Sequence, residues 1–201
     1  MASARPSTAR LSRLTRRAGV LRTRDLEAEG VNRVALGRLV AAGAIERVGR
    51  GLYAAPSKKV TEHHTLVEAS VRVRSAIVCL LSALQFHKLS TQSPHEVWIA
   101  IGVKARKPAA DWPPLRVVRF SGVALTHGVE THSLEGVDVR ITSPAKTLAD
   151  CFKYRNKIGL DVAIEALTEY RRKRGSVDEL MRAAIVDRVA VVIRPYLEAI
   201  R

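Results

Sequence analysis

LSRLTRRAGVLRTRDLEAEGVNRVALGRLVAAGAIERVGRGLYAAP, residues 11–56, decides how the rest of the chain is read. Three short helical patterns follow one another, closed by Gly19, Gly30 and Gly43. Glycine just past a helix end takes the left-handed backbone that caps the free carbonyls. After a tail over residues 1–8, the first helix is expected over Ser7–Arg17, with Leu11, Leu14 and Ala18 inward. Arg10, Arg13, Arg16 and Arg17 then point outward. Thr23 is read as the N-cap of the second helix, Thr23–Glu29, and Asn32 as that of the third, Arg33–Ala42. Leu36, Leu39 and Val40 form the inward stripe of the third helix. Arg33, Gly37, Arg38 and Ala41 share its other face, where small residues beside arginines permit close approach to a groove. A hairpin should pair Ala44–Val48 with Leu52–Ala55 around Gly49-Arg50-Gly51, whose glycines supply the positive φ of a tight turn. Three helices followed by a basic hairpin make the pattern of a winged helix-turn-helix. That unit lays one helix in the major groove and its wing along the backbone. Residues 9–56 are therefore read as a DNA-binding domain.

Charge points the same way. The 201 residues carry a net charge of +15, from 34 Lys and Arg against 19 Asp and Glu. An imbalance of that size costs self-repulsion and signals a polyanionic partner, nucleic acid or an anionic membrane surface. The excess is concentrated: residues 1–60 hold 13 Lys and Arg against 4 Asp and Glu, and the rest 21 against 15. With 47% hydrophobic residues, the chain can bury a proper core. The longest apolar run, Ala76–Leu81, falls far short of the roughly 20 residues a membrane span needs. No apolar signal core follows the basic N-terminus. Cys79 and Cys151 sit in apolar contexts without zinc-like spacing, so they are read as buried thiols in a reducing cytoplasm.

Beyond residue 56 the pattern changes. Residues 57–61 read as a linker and 62–201 as a second domain, with strands central and helices at its end. Thr61 is expected to cap a helix over Glu62–Val73. A short strand at Ser75–Cys79 leads into a helix over Leu80–His87. Strands follow at Val97–Val103, Leu115–Phe120 and Gly136–Ile141, with a possible further pair across Val123–Ser133. Ser143-Pro144 opens a helix with an N-cap serine and proline at its first position, and Leu148 and Phe152 face inward. Helices are expected over Leu160–Arg174, Val177–Arg188 and Val189–Arg201, the second opened by the capping-box pair Ser176 and Glu179. The fold class is thus α+β: a winged helix-turn-helix, then a mixed α/β domain with a helical end.

For DNA the candidate residues are Asn32, Arg33 and Arg38 on the third helix, Arg47 and Arg50 in the wing, and Thr23 and Arg24 at the second helix's start. Arginine reads guanine and asparagine adenine in two-bond fashion, while arginines and helix N-termini also hold phosphates. Tyr53 reads better as packing than as a base-stacking ring. Patterns for catalysis are weak, without GxSxG, Walker, GxGxxG or HExxH spacing, so no enzyme activity, cofactor or metal is expected. His63, His64 and Glu68 have helical spacing that could bind a metal but read better as an exposed face. Glu135 and Asp138 at a strand start vaguely suggest a nuclease core, yet Arg140 stands where a lysine is wanted. Gly175-Ser176 is explained by helix capping. The Arg171–Arg174 run suits either a phosphate patch or a solvated helix end.

Gly19–Pro56 resembles the N-terminal winged helix of the AbiEi family of antitoxins, and Ile141–Leu167, with its SPAKTLADCF core, is similar to that family's C-terminal domain. The resemblance implies a cytoplasmic antitoxin of a bacterial type IV toxin–antitoxin system, a phage-defence context, and a winged helix that binds double-stranded operator DNA and represses its own operon. It further implies a C-terminal domain that opposes a nucleotidyltransferase-like toxin without a stable complex. Asn32, Arg33, Arg38, Arg47 and Arg50 would take the DNA-reading positions, and Ser143, Pro144, Lys146, Thr147 and Asp150 the second-domain motif. Lys146 and Asp150 either act on a partner or salt-link the fold. Two other readings stay open: a regulator whose second domain senses a ligand or oligomerises, and a DNA-cutting enzyme using Asp138.

Overall fold

The computed structural model describes residues 20–56, 61–108 and 113–200. The tail, the helix expected over Ser7–Arg17, its Gly19 cap and most of the 57–61 linker lie outside the described residues. The chain divides into two compact units. One runs up to Arg74 and adds 132–139; the other holds 75–131 and 140–201.

The first unit is built on a three-stranded antiparallel sheet of order β1-β3-β2, comprising β1 (Val20–Arg22), β2 (Glu46–Gly49) and β3 (Leu52–Ala54). Between β1 and β2 come α1 (Thr23–Ala28) and α2 (Arg33–Ala41). Strand β1 was not expected from sequence, because three residues are too few to show alternation. It pairs along β3, with Val20 opposite Ala54 and Arg22 opposite Leu52. Leu26, Val31, Leu36 and Ile45 form the core here, with Leu21, Ala35, Leu39 and Tyr53 packed on it. Tyr53 is therefore a packing residue. Helix α3 (His64–Arg72) completes the unit.

Several local expectations are corrected. Thr23 is the first helical residue of α1, not its cap; Arg22 holds the cap position, its N–H donating to Asp25 Oδ2 at 3.2 Å. Val40 is exposed, so the inward face of α2 is narrower than the sequence stripe. Thr61 does not cap α3, which begins at His64; its N–H and hydroxyl both donate to Glu135 Oε1. At the hairpin tip only Gly51 has positive φ, +71°. Gly49 belongs to β2, where a Cβ would fall 2.1 Å from Glu68 Oε1, so a larger residue there requires the Glu68 carboxylate to move.

The Asn32 cap is as expected. Its Oδ1 accepts from Ala35 N at 2.8 Å, satisfying one of the free N–H groups opening α2. Asn32→Ala should accordingly cost about 1 kcal/mol of stability, and Asn32→Ser far less, read as denaturant midpoints.

In the second unit, β4 (Ile77–Val78) pairs antiparallel with β5 (Val97–Gly102), which pairs parallel with β6 (Leu115–Phe120). The five-stranded order is β6-β5-β4-β8-β7, with β7 (Val129–Leu134) and β8 (Val137–Thr142) forming a hairpin whose end, 132–139, counts with the first unit. Residues Gly122–Leu125, weighed as part of a strand pair, instead form a short 3-10 turn. Helix α4 (Leu80–His87) follows β4. After β8 come α5 (Pro144–Lys153), α6 (Arg155–Ile158), α7 (Leu160–Arg172), α8 (Val177–Val186) and α9 (Ala190–Ala199). Ser143 caps α5 as expected, its Oγ accepting from Lys146 N at 3.3 Å, and Ser176 caps α8 through Glu179 N.

Helix α5 is the centre of this unit. Leu148 and Phe152 are fully buried, as are Cys79 and Cys151 beside them. Burial pushes both thiols well above their ordinary pKa, so neither presents a reactive thiolate. Gly175 is explained by closeness: a Cβ there would meet the Tyr170 ring at 2.4 Å. No described helix is long and apolar enough to cross a membrane.

Candidate nucleic-acid interface

Two helices and a hairpin enclose an open cleft of about 770 Å³ in the first unit. Thr23, Arg24 and Glu27 of α1 form one wall; Arg33, Leu36, Gly37 and Val40 of α2 form the floor; Arg47, Arg50, Gly51 and Tyr53 close it. Five residues singled out from sequence thus meet in one concavity: Thr23, Arg24, Arg33, Arg47 and Arg50. Asn32 and Arg38 are exposed on α2 but outside that lining.

Each element holds its side chains for local reasons. Thr23 ties α1 to the hairpin tip: its N–H donates to the Gly51 carbonyl at 3.0 Å and its hydroxyl to the same oxygen at 3.4 Å. That work gives Thr23 a structural duty beside any phosphate contact. Gly37 leaves open space on α2, where a Cβ would meet nothing within 4 Å. Arg33 lies 3.6 Å from Glu27, both of them exposed. An exposed pair contributes little and leaves the guanidinium available to an incoming phosphate. Arg47 Nε donates to the Gly49 carbonyl at 3.3 Å, which bends it back along its own strand. Asn32 has its carbonyl oxygen engaged in the cap, so the two-bond reading of adenine must compete with that bond. The cleft is lined by four arginines against one glutamate, a field suited to a polyanion.

The second-domain motif lies elsewhere and has a different character. Lys146, Thr147 and Asp150 are fully buried, while Ser143 and Pro144 are half-buried. Lys146 Nζ donates to Asp150 Oδ1 and, at 3.0 Å, to Asp187 Oδ2, with the Phe120 ring 4.6 Å away. Lys153 reaches the other Asp187 oxygen at 3.4 Å. Thr147 Oγ1 donates to the Thr142 carbonyl at 3.0 Å. Burial pushes the Asp150 carboxyl well up, and the neighbouring Asp187 adds to it against the pull of Lys146. The motif thus ties β8, α5 and the end of α8 together from inside. Gly128 completes it, since a Cβ there would lie 2.7 Å from Lys146 Cβ. Asp187 was missed from sequence: forty-one positions from Lys146, it gives no local signal.

Of the nuclease-like acids, Asp138 is an exposed residue of β8. Glu135 stands in the β7–β8 turn with φ +50°, not at a strand start, and its carboxylate is held by Thr61 and His64. His64 and Glu68 are not a solvated face either; Glu68 is buried and His64 bonds Glu135. No group of three metal-ligating side chains occurs among the described residues.

The chain is thus an α+β protein with a winged-helix-like first unit bearing an arginine-lined cleft. Residues 9–56 match the model of a family described as transcriptional regulator, AbiEi antitoxin. Among solved structures, it resembles the RV2827C protein from Mycobacterium tuberculosis, with 17% identity and a TM-score of 0.58. That similarity covers 88% of this chain and 69% of that one, and at this identity it speaks for the fold alone. No curated protein matches the chain.

Proposed function

We propose that the chain is the DNA-binding antitoxin of a type IV toxin–antitoxin system and represses its own operon. In this reading residues 9–56 are a winged helix: α2 enters the major groove and the β2–β3 hairpin is the wing. The observation that carries it is the cleft uniting Arg24, Arg33, Arg47 and Arg50 between those two elements. Phosphate contacts from the wing set position, and contacts from Arg33 and Arg38 on α2 read base edges. The family match over the same residues supports the regulatory role.

The antitoxin role is assigned to the second unit, and its partner is a nucleotidyltransferase-like toxin encoded beside it. The motif around Ser143–Asp150 serves this role indirectly, because its buried charges hold the unit's shape. No catalytic step is assigned to the chain.

Two experiments test the proposal. Anisotropy titration of the full chain on duplex from its own upstream region should give a log–log salt slope near −5, corresponding to about six neutralised phosphates. Arg50→Ala should weaken binding to every sequence alike, whereas Arg33→Ala should relax preference at one position. An unchanged affinity and slope for Arg50→Ala would refute the wing assignment. For the antitoxin role, the neighbouring gene is induced alone and then with the full chain. Growth arrest relieved by the full chain is the expected result; a harmless neighbour, or arrest without relief, contradicts it.

A further inference from the structure

His64, Glu68 and Arg72 recur every four positions on α3 and so lie along one face of the helix. Opposite them run three successive residues of the hairpin. His64 Nε2 faces the Val48 carbonyl at 3.4 Å. Glu68 occupies the space beside Gly49, and Arg72 Nη2 donates to the Arg50 carbonyl at 2.8 Å. Val48 is the extra residue of a bulge, since Arg47 pairs with Tyr53 and Gly49 with Leu52. A bulge removes its residue from the ladder, which turns the Val48 carbonyl to another partner.

The second nitrogen of His64, Nδ1, lies 2.9 Å from Glu135 Oε2. Both neighbours of the ring are therefore acceptors, one a carboxylate and one a backbone carbonyl. Neutral imidazole has a single N–H and can satisfy just one of them; imidazolium satisfies both. We propose that His64 is a positioning residue for DNA binding, whose doubly protonated ring pins the bulge of β2, and with it Arg47 and Arg50, to α3. The inference rests on the DNA-binding reading above and adds that the wing's grip on phosphate depends on a proton.

The groups facing the ring are Glu135 from the β7–β8 turn, Glu68 from α3 itself and the uncharged Val48 carbonyl from β2. Glu62 and His63 alongside approach one another at 3.6 Å. Burial alone would lower the His64 pKa, but the bond and charge of Glu135, the Val48 carbonyl and Glu68 reverse this, and the net shift is upward from 6.5. The Glu135 carboxyl is held below its ordinary range, burial being outweighed by the Thr61 and His64 bonds. For a histidine with a raised folded pKa, the clamp is complete at low pH and is lost as pH rises through that folded pKa. The loss therefore falls above pH 6.5.

The test uses the full chain and a duplex from its own upstream region, at about pH 5 and about pH 8.5, on either side of the window in which histidine changes charge. Affinity should fall about fivefold at the higher pH and the salt slope should become shallower by about 1, the signature of one lost phosphate contact. His64→Gln should bind with no such pH dependence, and Arg50→Ala should also lose most of it. Independently of DNA, the His64 ring resonance should titrate above pH 6.5, with the Val48 and Gly51 amide resonances following the same midpoint. DNA binding that keeps its affinity and slope at both pH values overturns the clamp while leaving the DNA reading intact. A His64 titration at or below 6.5, or amides that do not follow it, also overturns the clamp. Absence of DNA binding at either pH removes the DNA reading itself, and the proposal with it.

Discussion

Lys146→Met is expected to lower the unfolding free energy by about 3–5 kcal/mol, the cost of leaving a buried charge without its partner. Lys146 has no exposed surface and is the cation between two buried carboxylates, Asp150 and Asp187. Methionine fills similar space but carries no charge, so Asp150 and Asp187 lose their shared buried cation, and exposed Lys153 remains beside Asp187. Against a typical domain stability of about 5–15 kcal/mol, such a loss leaves the second unit marginal. Adding Asp150→Asn should recover part of the deficit, because the amide needs no counter-charge. Acid should do the same. Lys146 pulls the Asp150 pKa down against burial, so its loss raises that pKa further, and the variant gains more stability from the Asp150 proton at low pH than the parent chain does. The deficit of Lys146→Met should therefore shrink on acidification, as measured by urea unfolding across pH. A deficit below about 1 kcal/mol, typical of an ordinary surface substitution, would show that the buried pair does not hold this unit together.

The second large effect is on DNA. Replacing Arg33, Arg47 and Arg50 together by alanine should reduce affinity for upstream DNA roughly 100-fold near physiological salt and make the salt slope shallower by about 2, the share of the two wing arginines. The three come from α2, β2 and the hairpin turn, yet meet in one cleft, so their loss should act on a single binding event. Arg33 and Arg47 are exposed, Arg33 in a weak pair with Glu27, so the unfolding midpoint should barely move. A control of Arg171, Arg172 and Arg174 to alanine addresses the other basic run. Arg172 is bound to Glu169 through three contacts, and this variant should leave the salt slope unchanged. Equal losses from both triple variants would indicate that net charge, not the cleft, holds DNA.

How much of this was legible in the sequence follows from the range of each interaction. Ser143-Pro144, the Asn32 cap and the strand Leu115–Phe120 were readable because turn chemistry, capping and alternation are local. The buried faces of α5 were readable for the same reason, since Leu148 and Phe152 lie one turn apart. What escaped was non-local. Strand β1 exists because β3 offers it an edge, and three residues carry no period of their own. Asp187 joins Lys146, and Glu135 joins Thr61 and His64, across distances at which spacing says nothing. Gly49 looked like a turn residue, yet it lies in β2 with the Glu68 carboxylate of another element against it. Of the DNA candidates, proximity of Arg24 to the hairpin could not be inferred by spacing; the tie between Thr23 and Gly51 brings it there.

The most direct measurement is backbone footprinting of the full chain on its own upstream DNA, beside the Arg33, Arg47 and Arg50 triple variant. The account predicts protected phosphates flanking a segment of major groove, as one helix and one wing would leave, and loss of that protection in the variant while its unfolding midpoint is kept. No protection by the wild-type chain, or protection identical in the variant, would contradict the assignment of this cleft to DNA.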